Sequence, residues 1–429
     1  MSNRPITDIA SINPPLSRTP KPSELITFVP MSGVREGGGI TESSDLPFSA
    51  VSSGFTRFQN GDVLFAKITP CMENGKGALA KSLTGGVGCG STEFHVLRAT
   101  QASIPAFLYQ LMQWKLTRQT AEIFMSGSAG QQRVQSDFFR RYKVYAPALP
   151  VQEKIAIILT GIDTAIEKTE ALIAKYQQIK AGLMHDLFTR GVLPNGQLRP
   201  PRDQAPELYQ ETAIGWIPRE WAVRNLGSMA RIVSGVTLGS KESGSGGVEV
   251  PYLRVANVQD GYLDLTEIKT VRITRKELEQ LRLQVGDVLM NEGGDFDKLG
   301  RGAVWSGEIE DCVHQNHVFR VRTDSSSLLP HFLAFYSESS FGKKYFLVSS
   351  KQSTNLASIN STQLNAYPIA LPSRDEQQVI VERISAANCR IDQMKAEADK
   401  LRSQKSGLMH DLLTGKVPVK IEEPEVVDG

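Results

Sequence analysis

The chain has 429 residues, of which 40% are hydrophobic, and a net charge of only +2. This length predicts two or three domains. The near-neutral charge excludes a uniformly basic protein, so any contact with nucleic acid must be local. Four cysteines without a C-x-x-C pair argue against a zinc ribbon or a disulfide framework. The first residues lack the apolar core of a signal peptide, and no stretch approaches ~18 apolar residues, so we expect a soluble, cytoplasmic protein.

Two copies of one unit follow each other along the chain. Four pairs of segments recur with one constant offset: 61–64 with 286–289, 75–78 with 300–303, 105–108 with 330–333, and 182–187 with 407–412. The last pair is the same hexapeptide, Gly-Leu-Met-His-Asp-Leu, in both places. Four collinear matches with the same offset are not expected by chance, so the sequence indicates a tandem duplication.

Each copy begins with a globular stretch, at 1–148 and at 223–370. Short runs rich in β-branched and aromatic residues, such as 63–66, predict strands. The pattern becomes helical around 107–124 and 332–346. Because strands and helices do not alternate regularly, we expect mixed α and β domains of the α+β class rather than doubly wound sheets.

A long helix follows each globular stretch, at 149–190 and at 371–415. Apolar residues recur in both helices with the seven-residue period of a coiled coil, at Ile155, Leu159, Ile162, Ile166, Ile173, Leu183, Ile384, Ile391, Met394, Leu401 and Leu408. Lys180 is a polar exception within this pattern. Helices of about 35 residues are roughly 52 Å long, more than one small domain covers, so we expect them to pair within the chain. The sequence also predicts a linker and entry to the second repeat at 191–222 and a disordered acidic tail at 416–429.

Enzyme signatures are incomplete in this sequence. The segment 13–16 resembles the N-P-P-aromatic loop of amino-methyltransferases, but Leu16 replaces the aromatic residue and no glycine-rich cofactor loop follows a strand. Asp264 and Glu267 resemble the acidic cluster of a nuclease, but an exposed strand with alternating charges explains their spacing equally well. The polar run 312–317 lacks a fourth zinc ligand from a separate element. We therefore expect a chain without catalytic residues or a bound metal.

Polar and basic residues follow the Gly-Asp-Val-Leu segment in both copies. Lys and Arg side chains bind phosphate or guanine, and Asn and Gln pair bidentately with adenine. Their recurrence at matching places favours nucleic-acid binding over an ordinary solvated surface. The predicted DNA-contacting residues are Lys67, Thr69, Asn74, Lys76, Gln131, Gln132, Arg133, Asn291, Glu292, Lys298, Arg301, His314, Gln315, Asn316, Lys351, Thr354 and Asn355.

Over nearly its whole length the chain resembles the specificity subunit of type I restriction–modification systems. The resemblance rests on the order domain–helix–domain–helix and on six segments: the helix entries at 148–153 and 370–376, the helix exits at 182–187 and 407–415, and the segments 214–221 and 293–305. The first copy lacks the tryptophan-rich opening that the second copy has at 214–221.

This resemblance implies a function for each part of the chain. The globular stretches are expected to be target recognition domains, each binding one half of a split, asymmetric sequence in double-stranded DNA. The two helices are expected to form an antiparallel spacer between the half-sites. The implied partners are two modification subunits, which carry S-adenosylmethionine and methylate adenine, and restriction subunits, which use ATP and Mg²⁺. The residues by themselves leave a stand-alone DNA methyltransferase and a coiled-coil adaptor without DNA contact as alternatives.

Overall fold

A computed structural model of the protein describes residues 3–128, 130–237, 247–294, 299–352 and 357–421. The chain divides into two compact units, one formed by Met1–Leu172 with Met394–Gly429 and the other by Ile173–Gln393. Each unit therefore combines one globular domain with a segment of each of two long helices. None of the helices within the described ranges is long and apolar enough to cross a membrane. The predicted acidic tail lies, from residue 422 onward, outside the described residues.

Among the described residues, the first domain contains short strands and four α-helices before the long helix. Its strands are β1 (Arg4–Pro5), β2 (Ala10–Ile12), β3 (Leu25–Val29), β4 (Ser44–Pro47), β5 (Thr56–Gln59), β6 (Val63–Ala66), β7 (Gly77–Leu79), β8 (Val87–Gly90), β9 (Phe94–Ala99), β10 (Met125–Ser126), β11 (Arg133–Val134) and β12 (Lys143–Val144). Its helices are α1 (Phe48–Val51), α2 (Pro105–Gln113), α3 (Lys115–Ile123) and α4 (Asp137–Arg141), and the long helix α5 (Leu149–Thr189) follows them.

Strand β6 is the central strand of the first domain, and all four of its residues are buried. It pairs antiparallel with β9 and β7 in a sheet of order β2-β9-β6-β7. Because side chains alternate between the two faces of a strand, Val63 and Phe65 join the core that contains α2. Leu64 and Ala66 join a second core with Phe58 of the sheet β4-β3-β8-β5. The continuous apolar run of β6 therefore reflects burial on both faces.

The second domain repeats this arrangement. Its strands are β13 (Tyr209–Thr212), β14 (Gly215–Pro218), β15 (Ala222–Asn225), β16 (Ala230–Ser234), β17 (Val248–Leu253), β18 (Lys269–Ile273), β19 (Val288–Asn291), β20 (Gly293–Gly294), β21 (Gly302–Val304), β22 (Val313–His314), β23 (Val318–Thr323), β24 (Lys351–Gln352), β25 (Ala357–Ser358) and β26 (Pro368–Leu371). Its helices are α6 (Arg275–Leu281), α7 (Pro330–Glu338), α8 (Ser340–Ser349) and α9 (Ser361–Asn365), followed by the long helix α10 (Arg374–Leu413). The central sheet, β16-β23-β19-β21, has the strand order of β2-β9-β6-β7, which confirms the internal repeat.

A buried ion pair explains why the Gly-Asp-Val-Leu segment occurs twice. The carboxylate of Asp62 is fully buried and accepts hydrogen bonds from Nε and Nη2 of Arg98 at 2.7 and 2.9 Å. Asp287 forms the same fork with Arg322, at 2.7 and 2.8 Å. The glycine before each aspartate has a φ of +89° or +90°, a left-handed conformation that favours glycine. The repeated segment therefore maintains the central sheet of each domain.

The two long helices bury the predicted apolar stripes. All of the predicted interface residues are buried or half-buried: Ile155, Leu159, Ile162, Ile166, Ile173, Leu183, Ile384, Ile391, Met394, Leu401 and Leu408. In the first unit the helix segments run antiparallel, because Asp163 pairs with Lys405 at 2.6 Å and Glu170 with Arg402 at 2.7 Å. In the second unit the polar exception Lys180 is paired, since its ammonium lies 2.9 Å from Oε1 of Glu338. The predicted α+β fold with antiparallel coiled-coil helices is confirmed.

A buried glutamine attaches each long helix to the domain that precedes it. The Gln152 amide donates to the Ala102 carbonyl at 2.9 Å, and its oxygen accepts from the Ser103 hydroxyl at 2.8 Å. Gln377, which occupies the equivalent position in the second copy, donates to the Ser327 carbonyl at 2.9 Å. Both side chains have no exposed surface. In both copies, a buried glutamine in the first turn of the long helix therefore hydrogen-bonds the backbone of a neighbouring loop.

Candidate nucleic-acid interface

In the first domain the loop after β6 pairs with the hairpin β10–β11. The Thr69 N–H donates to the Gln132 carbonyl at 3.0 Å, and the Val134 N–H donates to the Lys67 carbonyl at 2.8 Å. The loop and the hairpin are distant in sequence, so this backbone pairing is what makes them neighbours. It brings five of the predicted residues together: Lys67, Thr69, Gln131, Gln132 and Arg133.

Charge and hydrogen bonding hold part of this surface in place. Arg133 forms a fork with Glu93, with Nε 2.9 Å from Oε2 and Nη2 2.9 Å from Oε1. The hydrogen bond from Arg133 lowers the pKa of the Glu93 carboxyl, which therefore stays ionised. The Thr69 hydroxyl donates to Glu73 at 2.6 Å. The side chains of Gln131 and Gln132 are exposed, so they are the amides that a ligand can reach.

A cavity of about 460 Å³ lies beside Lys67. Its lining includes Asn13, Phe55 and Arg57, and among its described lining residues two are cationic and none is acidic. A concave surface with that charge attracts anions. Sequence reasoning did not select Phe55 or Arg57 because both precede the Gly-Asp-Val-Leu segment. The sequence signal that could have found them is an aromatic residue two positions before an arginine. In the structure Phe55 is 39% exposed.

Two predicted residues of the first domain lie away from the hairpin. The Asn74 amide donates to Glu36 at 2.7 Å, and the Lys76 ammonium donates to the Met31 carbonyl at 3.2 Å. The Gly37 N–H donates to the Asn74 carbonyl at 3.0 Å, so the two loops pack together. Asn74 and Lys76 therefore connect the loop after β6 to the loop around residue 37, and their contact with DNA stays a prediction.

The second domain has the same loop-and-hairpin pairing. Strand β20 pairs with β25, with Gly293 opposite Ser358, and β25 pairs with β24. Nδ1 of His317, which is 57% exposed, lies 2.6 Å from Oε2 of Glu292. Gln315 and Asn316 are half-buried in the turn between β22 and β23. These residues form a mixed polar surface beside the hairpin.

Other predicted residues of the second domain have different positions. Arg301 donates to the amide oxygen of Gln259 at 2.9 Å and lies 3.4 Å from Asp260. Burial is the main reason why the pKa of Asp260 is raised, although Lys343 and Arg301 act against the shift. The predicted contacts Lys298, Thr354 and Asn355, and the side chain of Lys351, lie outside the described residues.

Two of the predicted DNA-contacting side chains, His314 and Asn291, are buried inside the second domain. His314 has no exposed surface, its Nδ1 lies 2.6 Å from the Val318 carbonyl oxygen, and burial lowers its pKa to about 4. Asn291 is 1% exposed, and its amide donates to the Val258 carbonyl at 3.1 Å. Both side chains provide hydrogen bonds inside the domain, where DNA has no access. Their residue types suggested a binding surface, but their tertiary neighbours make them part of the core.

The polar run 312–317 is divided between the core and the surface. Burial raises the pKa of the Cys312 thiol to about 12, so the sulfur is protonated at neutral pH. His314 lies in the core and His317 at the surface. In the part of the chain that the structure describes, no three His, Cys, Asp or Glu side chains are grouped so that they could hold a metal ion.

The basic character of the second hairpin extends over a longer segment than the sequence patterns suggested. Between Glu338 and Asp375 the sequence has no acidic residue, whereas Lys343, Lys344 and Arg374 are basic, as is Lys351. This segment is therefore basic in a chain of net charge +2, although Lys343 also interacts with the Asp260 carboxylate. Counting charges within segments, rather than over the whole chain, would have identified this region.

Comparison with known proteins identifies the family. The family model of the type I restriction modification DNA specificity domain matches residues 23–178 and 218–402. The chain therefore belongs to this family, and each match covers one of the two repeats.

Two curated relatives illustrate the similarity. The specificity subunit of the type I restriction enzyme EcoAI of Escherichia coli is 37% identical over 168 residues, which are 38% of this chain and 28% of the relative. The specificity subunit of EcoEI, also from Escherichia coli, is 38% identical over 153 residues, 35% of this chain and 25% of the relative. The chain thus spans between about a quarter and about half of the length of the curated relatives that it matches first.

Solved structures share the fold over nearly the whole chain. The type I restriction–modification S subunit from M. genitalium has 15% sequence identity and a TM-score of 0.53, with 96% of both chains covered. A chain from a structural study of assembly and conformational transition of the type I R-M system has 17% identity and a TM-score of 0.56, with 97% of this chain and 98% of that chain covered. At these identities the similarity concerns the fold.

Proposed function

We propose that this chain is the sequence-specific DNA-binding subunit of a type I restriction–modification complex, with one domain for each half of a split, asymmetric site. The main support is the backbone pairing of loop and hairpin, which occurs in both domains at equivalent positions of the repeat. Arg133 pairs with Ile68 in the first domain, and Ser358 pairs with Gly293 in the second. The side chains on this common framework differ. Lys67 in the first domain corresponds to Glu292 in the second. A lysine binds guanine and a glutamate accepts from cytosine, so equal frameworks can recognise unequal sequences.

The repeated hexapeptide supports a partner that binds twice. Its apolar members are buried or half-buried, but its histidines, His185 and His410, are exposed in both copies. Apart from the backbone of its own helix, a Cβ atom added to Gly182 or Gly407 would have no atom within 4 Å, so packing within the chain does not require glycine there. Glycine inside a helix costs about 1 kcal/mol relative to alanine. Identical exposed residues in two copies support docking of two modification subunits, one at each hexapeptide.

The proposal assigns the chemistry to the partner subunits. The modification subunits carry S-adenosylmethionine and methylate adenine, and the restriction subunits use ATP and Mg²⁺. This chain is then non-catalytic and supplies the recognition of the site. Its sequence contains no glycine-rich cofactor loop and no G-x-x-x-x-G-K-[ST] motif, which supports this division of labour.

The proposal is tested by substitution in one domain at a time. The full chain is assembled with its modification subunit, and the methylated motif is mapped by sequencing. Gln132→Ala is expected to relax one position of one half-site, and Asn316→Ala one position of the other, because a lost base contact costs about 1–3 kcal/mol. The dependence of affinity on salt should stay the same, since no phosphate contact is removed. Gln204→Ala, an exposed residue of the linker, is the matched control.

Two outcomes would contradict the proposal. Methyl transfer by the chain purified from a host without the modification subunit would indicate a stand-alone methyltransferase. An assembled complex that shows no affinity for DNA even at low salt, where phosphate contacts are strongest, would indicate an adaptor without DNA contact.

A further inference from the structure

Each domain exposes one large apolar side chain at the same place. Ile123 is 81% exposed and Val348 is 79% exposed, more than any other large apolar residue in the described ranges. They occupy equivalent positions in the two copies, with the same offset as the repeated segments. The next most exposed residue, Val285, at 76%, corresponds to the polar Asn60 in the other copy. An exposed apolar side chain is therefore not repeated at Val285, whereas it is repeated at Ile123 and Val348.

Both residues lead into the hairpins. Ile123 is the last residue of α3, and β10 begins two positions later. Val348 lies in the last turn of α8, and β24 begins three positions later. The hairpins pair with the loops that carry Lys67 and Glu292. The apolar side chains therefore adjoin the surface for which DNA binding is proposed.

In the second domain the charges along the chain favour a polyanion over a protein partner, because the sequence from 339 to 374 contains four basic residues and no acidic residue. In the first domain Glu122 precedes Ile123 and Arg133 is paired with Glu93, so the same ligand is inferred there from the repeat. Burying an apolar side chain removes it from water at a gain of about 25 cal/mol per Å². Duplex DNA offers one apolar group to such a side chain in its major groove, the C5 methyl of thymine.

We infer that Ile123 and Val348 each pack against a thymine methyl group, one in each half-site. The inference rests on the proposed function and adds an apolar specificity determinant to the polar hairpin. A thymine contact explains why both positions carry a β-branched apolar residue. At the exposed end of a helix, a polar residue would otherwise be expected. Each side chain then excludes water from one thymine and favours that base over cytosine.

The test couples a protein substitution to removal of the methyl group. The full chain is assembled with its modification subunits, the methylated motif is mapped, and duplexes are prepared with uracil in place of thymine in one half-site at a time. For the unaltered complex, uracil should weaken binding about fourfold, the value expected for one buried methyl group. For Ile123→Ser, affinity for the thymine duplex should fall about tenfold, and uracil in the first half-site should have no further effect. Val348→Ser should show the same loss of coupling in the other half-site.

Val285→Ser is the matched control, because it removes an equally exposed side chain of the second domain away from the hairpin. It should keep the affinity and the uracil effect of the unaltered complex. All three variants should unfold at the temperature of the unaltered chain, since exposed side chains contribute little to the core.

The results separate this inference from the proposed function. Additive effects of Ile123→Ser and uracil, an unchanged affinity, or a half-site that contains only G·C pairs would overturn the thymine contact while leaving site-specific binding intact. Loss of modification subunits from the Val348→Ser complex would overturn it in favour of a protein contact. An unaltered complex that does not discriminate its own methylated site would overturn the proposed function as well.

Discussion

Lengthening both long helices by one heptad tests whether they determine the spacing of the two half-sites. The insertions go between Leu172 and Ile173 in α5 and between Gln393 and Met394 in α10, which are the boundaries of the two units. No contact within either unit is interrupted there. Seven residues add about 10.5 Å to a helix, since each residue rises 1.5 Å, and this corresponds to roughly three base pairs at 3.4 Å each. A heptad also preserves the apolar stripe, which drifts by only about 20°.

The expected result is a methylated motif with about three more unspecified base pairs between two unchanged half-sequences. It is measured by sequencing the methylated bases in a host that carries the altered chain and its partner subunits. A heptad inserted into α5 alone is the control. It lengthens one helix without its partner and should abolish site-specific methylation. Changed half-sequences would refute the reasoning, because the helices would then contact bases, and an unchanged spacing would show that the helices are not the spacer.

Three further predictions concern stability. As the pH drops from 6.5 to 4, His314 should lower the free energy of unfolding by about 3 kcal/mol, because burial keeps its pKa at about 4 while the unfolded imidazole takes up its proton near pH 6.5. Urea unfolding of His314→Gln should lose this part of the pH dependence. A variant whose stability depends on pH as the unaltered chain's does would show that His314 is not the cause. Asp62→Asn should destabilise the first unit by about 3 kcal/mol in the same assay, because Arg98 loses its carboxylate, and a change below 1 kcal/mol would show that the fork contributes little. Gln152→Leu should cost about 2 kcal/mol, because buried polar groups of the neighbouring loop lose their partner, and wild-type stability would rule out that anchoring role.

The helix pair could be predicted from the sequence because a coiled coil is defined by local periodicity. Every predicted interface residue is buried or half-buried, while Ile157, Leu172 and Ile179, which do not belong to the stripes, stay exposed. The role of Lys180 could not be predicted in this way, because its partner Glu338 comes from α7 of the second domain. Local patterns thus locate a helix face, and long-range pairing decides what the polar residues on that face do.

The candidate interface shows a similar division. The positions of the loops after the Gly-Asp-Val-Leu segments followed from the repeat, but their pairing with the hairpins depends on backbone contacts such as that of Thr69 with Gln132. His314 and Asn291 were assigned to the surface because they are polar. Their burial is determined by the carbonyl groups of Val318 and Val258, which residue type and spacing do not reveal.

The C-terminal helix has a consequence for how the protein is made. Met409, Leu412 and Leu413 belong to the same core as Ile155 and Leu159 of the first unit. That core therefore remains incomplete until the last helical residues leave the ribosome, long after the domain itself has been synthesised. Contacts between segments so far apart in sequence form slowly, because closing a long loop costs conformational entropy. The unit that is synthesised first is thus the last to be finished, and its apolar helix face stays open to chaperones and proteases throughout translation of the second domain.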